Sequence, residues 1–297
     1  MKTLKQILAV SDLTLSSKHA IHRGFLLAQA ANAKYNIVHA LNLDPLIKMV
    51  NVIGDDTEKV KQSLIQDAQN KLREITNEPQ RNKSLPAETI VLEGQPTKVI
   101  PPYTNKISAD LIITGERGKG FMHQLITSST AIGLMRKCKA PVLVVKNVSR
   151  HAYQKVMIAV DLSPTSIKAV QVAKTIAPEA NFVLINVFDI AFEGKLRYAG
   201  VAEDTIQRYR KNEQTRVLKQ MHAIAQKAGL DINQYDAIVV HGEATHQILL
   251  KEQELDVDLI VLGKHGENMT EELLLGSVTK YTLSESQSDV LVVSDPI

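Results

Sequence analysis

The chain has 297 residues, of which 44% are hydrophobic and 23% charged, and its formal net charge is +3. This balance is typical of a folded globular chain and excludes a disordered or membrane-spanning protein. The charges of both signs are interspersed, so no basic tail indicates nucleic-acid binding. No run approaches the ~18 apolar residues of a membrane span, and the run Ile7–Val10 is too short for a secretory signal. The single cysteine, Cys138, fits a reducing compartment. We therefore expect a cytoplasmic protein with neither a membrane nor a nucleic acid as its partner.

An internal repeat indicates the domain organisation. The stretch Asp110–Gly118 recurs as Asp258–Gly266, an offset of 258 − 110 = 148 positions. Three further pairs align at this offset or at one residue more: Gly94 with Gly242, Val142–Val145 with Val290–Val293, and Asp12 with Asp161. The repeat predicts two domains, residues 1–147 and 155–297, joined by a short polar linker.

Short β-branched runs alternate with longer amphipathic segments in each half. The strands predicted in the first half are Gln6–Ser11, Tyr35–Ala40, Glu88–Leu92, Asp110–Thr114 and Pro141–Lys146. Those in the second half are Lys155–Val160, Asn181–Val187, Ala237–His241, Asp258–Leu262 and Asp289–Val293. The alternation predicts the α/β class, with two tandem doubly wound domains, each a five-stranded parallel sheet with helices on both faces. Such sheets bind ligands beyond the carboxyl ends of their strands, where the strand order reverses.

A glycine-containing loop follows the fourth predicted strand of the second half. Its residues are Gly263, Lys264, His265 and Gly266 and, after nine more, Gly276, Ser277, Val278 and Thr279. Glycines permit positive φ and a close approach of backbone amides to phosphate, and the N-terminus of a new helix favours an anion. We expect hydroxyl donors from Ser277 and Thr279, and a non-negative local charge from Lys264 and His265. The pattern predicts a phosphate site. The alternative is that the glycines only end a strand and begin a helix.

The spacing differs from that of a Walker loop, but it resembles the GxxG-x9-G-Ser/Thr pattern of the universal stress protein family. The resemblance extends to the segment Val160–Ser163 and to the closing strand Pro141–Val145, and it covers nearly the whole chain twice. The chain is therefore similar to a tandem universal stress protein. Because members of the family pair through their last strand, the resemblance also implies an internal pseudo-dimer through the last strand of each half. Whether two chains associate further, as a homodimer, stays open.

In the ATP-binding branch of this family, matching positions contact the nucleotide. The resemblance implies that Ala159 and Asp161 meet the adenine and that Val187 closes over the base. It places Gly263 and Gly266 along the ribose and phosphates, with Gly276, Ser277 and Val278 at the phosphate tail. The implied ligand is ATP or ADP, with Mg²⁺. A purely local role for Asp161, in a turn or a helix cap, is the alternative.

The first half departs from the pattern. Its weaker candidate residues are Asp12, Ala40, Gly115, Gly118, Ser128 and Ser129. Ser128 stands at the position of Gly276; if that backbone needs positive φ, serine costs about 1 kcal/mol. Glu116 also places a negative charge beside the expected phosphates, with Arg117 as the residue that compensates it. The second half is therefore favoured as the nucleotide site.

These features favour an adenine-nucleotide-binding stress-response protein with a binding or switch role. No catalytic residue and no metal ligand is assigned, because neither an arginine finger nor a Walker-type acid can be placed; weak ATPase activity stays open. Two alternatives remain: a protein-interaction module without nucleotide, and a small-molecule or lipid carrier that uses the first-domain cleft. For Cys138 we expect a packing role.

Overall fold

The structure, a computed structural model, describes residues 3–44, 56–78, 85–116, 129–148, 151–189, 193–265 and 274–294, together with residues 47, 49 and 82. Two compact units divide the chain, Lys2–Ala152 and Tyr153–Ile297. Each unit contains its own parallel sheet.

The first unit contains five parallel strands. They are β1 Gln6–Ser11, β2 Lys34–Leu41, β3 Ala87–Glu93, β4 Leu111–Gly115 and β5 Val142–Val145. Its described helices are α1 Leu15–Ala31, α2 Thr57–Thr76, α3 Pro96–Lys106 and α4 Ser129–Lys137. The strand order is β3-β2-β1-β4-β5, so the order reverses between β1 and β4. A crevice at the carboxyl ends of these two strands is the expected ligand position.

The second unit repeats this plan. Its strands are β6 Lys155–Ala159, β7 Asn181–Phe188, β8 Tyr235–His241, β9 Leu259–Gly263 and β10 Asp289–Val293. The described helices are α5 Pro164–Ile176, α6 Glu193–Tyr198, α7 Glu203–Ala228, α8 Ala244–Leu255 and α9 Ser277–Glu285. The order β8-β7-β6-β9-β10 reverses between β6 and β9. The predicted α/β class, with a five-stranded parallel sheet in each half, is confirmed.

The central strands form the core of each unit. Ile7, Leu8 and Ala9 of β1 are fully buried, and so are Leu259, Ile260 and Val261 of β9. Continuous apolar runs of this kind are typical of parallel strands that are covered on both faces. They explain why the strand positions can be predicted from the sequence.

One aspartate in each unit ties the start of the fourth strand to the start of the first. Asp110 accepts hydrogen bonds from the backbone N–H groups of Lys5 (2.9 Å) and Gln6 (3.1 Å). Asp258 makes the same pair of bonds at the start of β6, at 2.7 and 3.2 Å. The repeated aspartate at the head of the glycine motif is therefore structural, and it lies at the opposite edge of the sheet from the predicted ligand site.

The longest described helix, α7, has 26 residues and is amphipathic. Ile206, Val217 and Met221 are buried on one face, whereas charged residues occupy much of the rest. Its length therefore does not make it a membrane span. In the part of the chain that the structure describes, no helix is both long and apolar enough to cross a bilayer.

Cys138 is buried, with 5% of its surface exposed. Burial raises the pKa of its thiol to about 11, against the weaker opposing effects of a hydrogen bond with Thr104 and the charge of Lys137. The thiol is therefore protonated at neutral pH and a poor nucleophile. The packing role predicted from the sequence is confirmed.

Candidate functional site

A cavity of about 250 Å³ lies at the carboxyl edge of the second sheet, where β6, β7 and β9 end. The structure brings nine of the predicted residues together on its wall: Ala159, Asp161, Val187, Gly263, His265, Gly276, Ser277, Val278 and Thr279. These residues come from four separate stretches of the chain. The crevice is at the reversal of strand order, where an open α/β sheet is expected to bind a ligand.

The two remaining predicted residues are Gly266 and Lys264. Gly266 lies outside the described residues. Lys264 is described, but only 7% of its surface is exposed and it does not line the cavity. Its backbone shapes the loop, because its N–H donates to the carbonyl of Val293 (2.8 Å) and its carbonyl accepts from the N–H of Gly276 (3.1 Å).

The start of α9 is the part of the wall suited to an anion. Gly276 is the N-cap residue of the helix and, as a glycine, has no side chain to bond to the first turn. The first N–H groups of a helix have no acceptor within the helix, and the helix dipole adds partial positive charge there. Ser277 is exposed, whereas Val278 is half-buried. The amides of Ser277, Val278 and Thr279 therefore offer hydrogen-bond donors at the cavity.

The backbone at Gly276 does not need positive φ, which was the condition for a penalty on serine at the matching position. The φ of Gly276 is −58° and its ψ is 153°, a conformation open to any residue. The φ penalty for serine at the matching position therefore does not apply. In addition, the N–H of Gly276 is bonded to Lys264, and the hydroxyl of Thr279 donates to the carbonyl of Gly263 (2.8 Å). These two donors hold the loop together.

Gly263 is favoured for a different reason, the tight space around its Cα atom. A Cβ atom at this position would lie 3.1 Å from the carbonyl oxygen of His265 and 3.3 Å from Cγ2 of Thr165. At the matching Gly115 the contact is tighter, since a Cβ would lie 2.5 Å from the carbonyl oxygen of Ser16. Both glycines thus allow β4 and β9 to end against the first turn of the helix that follows the first strand of their unit.

Asp161 has the local role that was the alternative in the sequence. Its Oδ1 accepts hydrogen bonds from the N–H of Ser163 (3.1 Å), the hydroxyl of Ser163 (2.6 Å) and the hydroxyl of Ser166 (2.6 Å). These bonds stabilise a turn in which Leu162 adopts φ +68°. Asp161 also lines the cavity, so the local role and a place at the ligand site coexist.

Strand β7 contributes a residue that the sequence analysis missed. Asn186 is 8% exposed, lines the cavity, and donates from Nδ2 to the carbonyl of Val160 (2.6 Å). In the first unit His39 makes the corresponding bond, from Nδ1 to the carbonyl of Ser11 (2.8 Å). This polar residue within an apolar strand, at the same place in both repeats, was the available signal. The remaining missed residues of the wall are apolar or backbone contributions: Val160, Ile185, Ala244, Ile248 and Leu262.

The first-unit cleft is smaller, at about 60 Å³. Three of the weaker candidates line it, Asp12, Ala40 and Gly115. Ser129 begins α4 and is exposed, but Thr130 takes its place on the wall; Gly118 and Ser128 lie outside the described residues. Pro96 stands on this wall where the second unit has Ala244.

The negative charge of Glu116 is compensated by a residue other than the one expected. Lys146 places its Nζ atom 3.4 Å from Oε1 of Glu116, and its side chain is only 4% exposed. Arg117, the expected partner, lies outside the described residues. Lys146 therefore offsets the negative charge of Glu116 at the first cleft. The small volume of this cleft is the stronger argument against a nucleotide there.

A described carboxylate next to the wall of the second cleft, that of Glu243 beside Ala244, is engaged in local bonds. Glu243 caps the start of α8 by accepting from the N–H groups of Thr245 (3.1 Å) and His246 (2.9 Å). A hydrogen bond from the Thr245 hydroxyl, followed by that from the His246 N–H, holds the pKa of Glu243 below its usual value. Among the residues that the structure describes, no three His, Cys, Asp or Glu side chains are grouped to hold a metal ion.

Comparison with known proteins agrees with this architecture. The model of the universal stress protein family matches residues 3–146 and 152–294. Universal stress protein MT2052 of Mycobacterium tuberculosis is 26% identical over 211 residues, which span 69% of this chain and 65% of that protein, just under two thirds of its length. The stress response protein NhaX of Bacillus subtilis is 28% identical over 173 residues, 48% of this chain and 97% of its own.

The structure of a universal stress protein from Archaeoglobus fulgidus shows the same fold over most of the chain. It covers 97% of this chain and 96% of its own, with a TM-score of 0.70 at 19% sequence identity. The family model matches each half of the chain separately. The chain therefore belongs to the universal stress protein family, with one family domain in each half.

Proposed function

We propose that this protein binds an adenine nucleotide, ATP or ADP, in the cleft of the second unit, and that binding is a signal or switch in a stress response. One observation carries the proposal: the 250 Å³ cavity joins the ends of β6 and β9 to an uncapped helix N-terminus. An apolar wall beside a cluster of amide donors fits a ligand with a flat base at one end and phosphates at the other.

The two ends of the cavity suit the two ends of a nucleotide. Ala159, Val187 and Ile248 supply apolar surface for the base, with Asp161 and the backbone at the end of β6 as its polar partners. The amides of Ser277, Val278 and Thr279 supply donors for the phosphates, and the exposed Ser277 hydroxyl adds another. Mg²⁺ would be held mainly by phosphate oxygens and water, as is usual for this ion.

A binding role is proposed in preference to dedicated hydrolysis. Phosphoryl transfer needs a positioned water or base and a cation on the transferred group. Among the described residues, Asp161 lines the cleft and Glu243 directly precedes Ala244 of its wall, and both carboxyl groups accept hydrogen bonds within their own turns. No residue is therefore assigned to catalysis.

The first unit is not proposed as a nucleotide site. Its cleft of about 60 Å³ has room for only a few water molecules. This volume also argues against binding of a lipid or of another bulky organic molecule in the first-unit cleft.

Thermal unfolding of the full chain with and without Mg-ATP tests the proposal. A ligand specific for the native state stabilises it by about 2.7 kcal/mol at a hundredfold excess over Kd, so the midpoint should rise with nucleotide concentration. MgCl₂ alone and magnesium tripolyphosphate serve as controls. Mass spectrometry of freshly purified, denatured protein should detect ATP or ADP. A midpoint that is unchanged at millimolar Mg-ATP, with no nucleotide released, contradicts the proposal.

A further inference from the structure

A buried carboxyl group in the second unit is not used by the proposed nucleotide site. Glu252 of α8 is only 4% exposed. Its Oε1 accepts hydrogen bonds from the hydroxyl of Ser286 (2.8 Å), the N–H of Gln287 (2.9 Å), and the N–H (2.7 Å) and hydroxyl of Ser288. Burying a carboxyl group is unfavourable by several kcal/mol unless such donors replace water. The donors around Glu252 meet that requirement.

The place of this cluster in the fold relates it to the cleft. Residues 286–288 lie between the end of α9 and the start of β10, and α8 packs against α9. Glu252 therefore ties the C-terminal end of α9 to α8. At the opposite ends of the same two helices, Ala244 and Ile248 of α8 and the first turn of α9 line the cavity.

Because α9 is short, the contact with Glu252 at its C-terminal end affects the orientation of its N-terminal end. The helix has nine residues and is therefore only about 13 Å long. A short helix tilts as one body, so a contact that fixes its C-terminal end also fixes the direction in which its N-terminal amides point. The N–H of Gly276 bonds to Lys264 and the hydroxyl of Thr279 bonds to Gly263, so these two hydrogen bonds hold the near end of α9. Glu252 holds the far end, and both ends together fix the direction of the helix axis.

The first unit has no carboxyl group at the matching place. By the offset of 148, Thr104 corresponds to Glu252 and Cys138 to Ser286. Thr104 donates its hydroxyl to the carbonyl of Ile100 in its own helix (3.0 Å), and a side-chain hydrogen bond also links it to Cys138. Of the two matching positions, the one with a buried carboxyl group is therefore in the second unit, which also has the larger cleft.

We propose that Glu252 is a positioning residue for the phosphate end of the ligand site. It holds α9 against α8 so that the amides of Ser277, Val278 and Thr279 stay directed into the cavity. Glu252 touches no ligand itself; it acts through α9. This inference rests on the proposed binding of an adenine nucleotide in the second unit.

Isothermal titration calorimetry of the full chain with Mg-ATP and with adenosine tests the inference. The variant is Glu252→Gln, and the matched control is Glu254→Gln, which removes an exposed carboxylate of the same helix that pairs with Lys251. We expect Glu252→Gln to weaken Mg-ATP binding about tenfold, the effect of losing one charge-assisted interaction, and adenosine binding by less than about twofold. The control should leave both affinities unchanged.

The ratio of the two affinities separates positioning from general stability. Loss of folded protein weakens both ligands equally, whereas a tilted α9 affects only the ligand that carries phosphates. Ser288→Ala, which removes one of the four donors, is the milder second variant in case Glu252→Gln does not fold, and it should weaken Mg-ATP binding about threefold. If the wild-type chain binds Mg-ATP but the variants leave the ratio unchanged, the inference is overturned and nucleotide binding stands. If the wild-type chain does not bind Mg-ATP, the proposed function fails first and the inference fails with it.

Discussion

At the scale of single residues, the two units have equivalent aspartates that each accept a hydrogen bond from the backbone N–H two residues on, in clefts of different size. Asp161 stabilises its turn through Ser163 and Ser166, and Asp12 does the same through the N–H of Thr14 (3.1 Å). The leucine that follows each aspartate has positive φ, +65° for Leu13 and +68° for Leu162. A left-handed leucine costs roughly 1–2 kcal/mol, which the aspartate bonds help to offset.

Replacement of these aspartates should separate the structural role from ligand binding. We expect Asp161→Ala and Asp12→Ala each to lower the free energy of unfolding by about 1–2 kcal/mol, because each loses a turn-stabilising acceptor. Only Asp161→Ala should also weaken Mg-ATP binding, since only its cleft has room for a nucleotide. Chemical denaturation and calorimetry measure the two effects. Equal weakening of nucleotide binding by both changes would refute the assignment of the site to the second unit.

The positions of the site residues were predictable from the sequence, but their backbone conformations and hydrogen bonds were not. The spacing of Gly263 and Gly276 predicted residues that do meet at one cavity, since both glycines flank elements that end at the same sheet edge. Their conformations were not predictable, because spacing does not determine φ. Asn186 was missed because a single polar residue in an apolar strand is also compatible with an ordinary core hydrogen bond.

At the scale of elements, α4 and α9 begin with exposed serines at matching positions, Ser129 and Ser277. A glutamate at the first position of a helix is favourable to the helix itself, because it complements the dipole. Near a bound triphosphate the same charge is repulsive. This pair therefore allows the charge at the cleft to be changed without damage to the fold.

We expect Ser277→Glu to weaken Mg-ATP binding at least tenfold with little change in the thermal midpoint of the free protein. Ser129→Glu should leave binding unchanged. Titration of both variants at several salt concentrations measures the effect, which should shrink as salt screens the charge. Retention of wild-type affinity by Ser277→Glu contradicts the placement of the phosphates at α9.

A second element-level feature is the ion cluster that connects α6 with α7. Glu193 is 9% exposed; its carboxylate bonds to Arg210 (3.1 Å), pairs with Arg197 (3.0 Å) and lies 3.2 Å from Nε2 of His241. The hydrogen bond from Arg210 is the main cause that holds the pKa of Glu193 below its usual value. A carboxyl group with a lowered pKa in the folded state stabilises the fold above its unfolded pKa of about 4.3, and this contribution is lost as the pH falls through the folded value.

Glu193→Gln should therefore lower the thermal midpoint at pH 7. The difference from the wild type should narrow progressively as the pH falls below the unfolded value of about 4.3, because the unfolded chain and then the folded protein bind the proton. Thermal scans between pH 7 and pH 3 check this. A difference that stays constant over that range shows that the carboxylate charge makes no contribution.

The strands themselves were predictable to within about two residues at their ends. Gln6–Ser11 and Asp289–Val293 match the structure, whereas Tyr35–Ala40 extends by one residue at each end to Lys34–Leu41. The apolar run marks the buried part of a strand, but backbone hydrogen bonds to β1 and β3 continue past it. The sequence therefore indicates which part of a strand is buried, but not how far its backbone hydrogen bonds to the neighbouring strands extend.

At the scale of the whole molecule, the two units have the same fold but clefts of different volume. Both units retain the strand order, the aspartate that ties the fourth strand to the first, and the turn after the first strand. They differ where side chains fill the crevice: Pro96 and the Glu116–Lys146 pair accompany the small cleft, and Ala244 accompanies the large one. In the proposed function, such differences in packing at a retained backbone allow the second unit to bind the nucleotide and the first unit to exclude it.

A crystal structure of the full chain grown with saturating Mg-ATP is the most direct test of nucleotide binding in the second unit. We predict one nucleotide per chain, with the base beside Ala159 and Val187 and the phosphates at the amides of Ser277–Thr279. A nucleotide bound in the first unit instead, or a second-unit cleft that contains only protein side chains and water at that concentration, contradicts it.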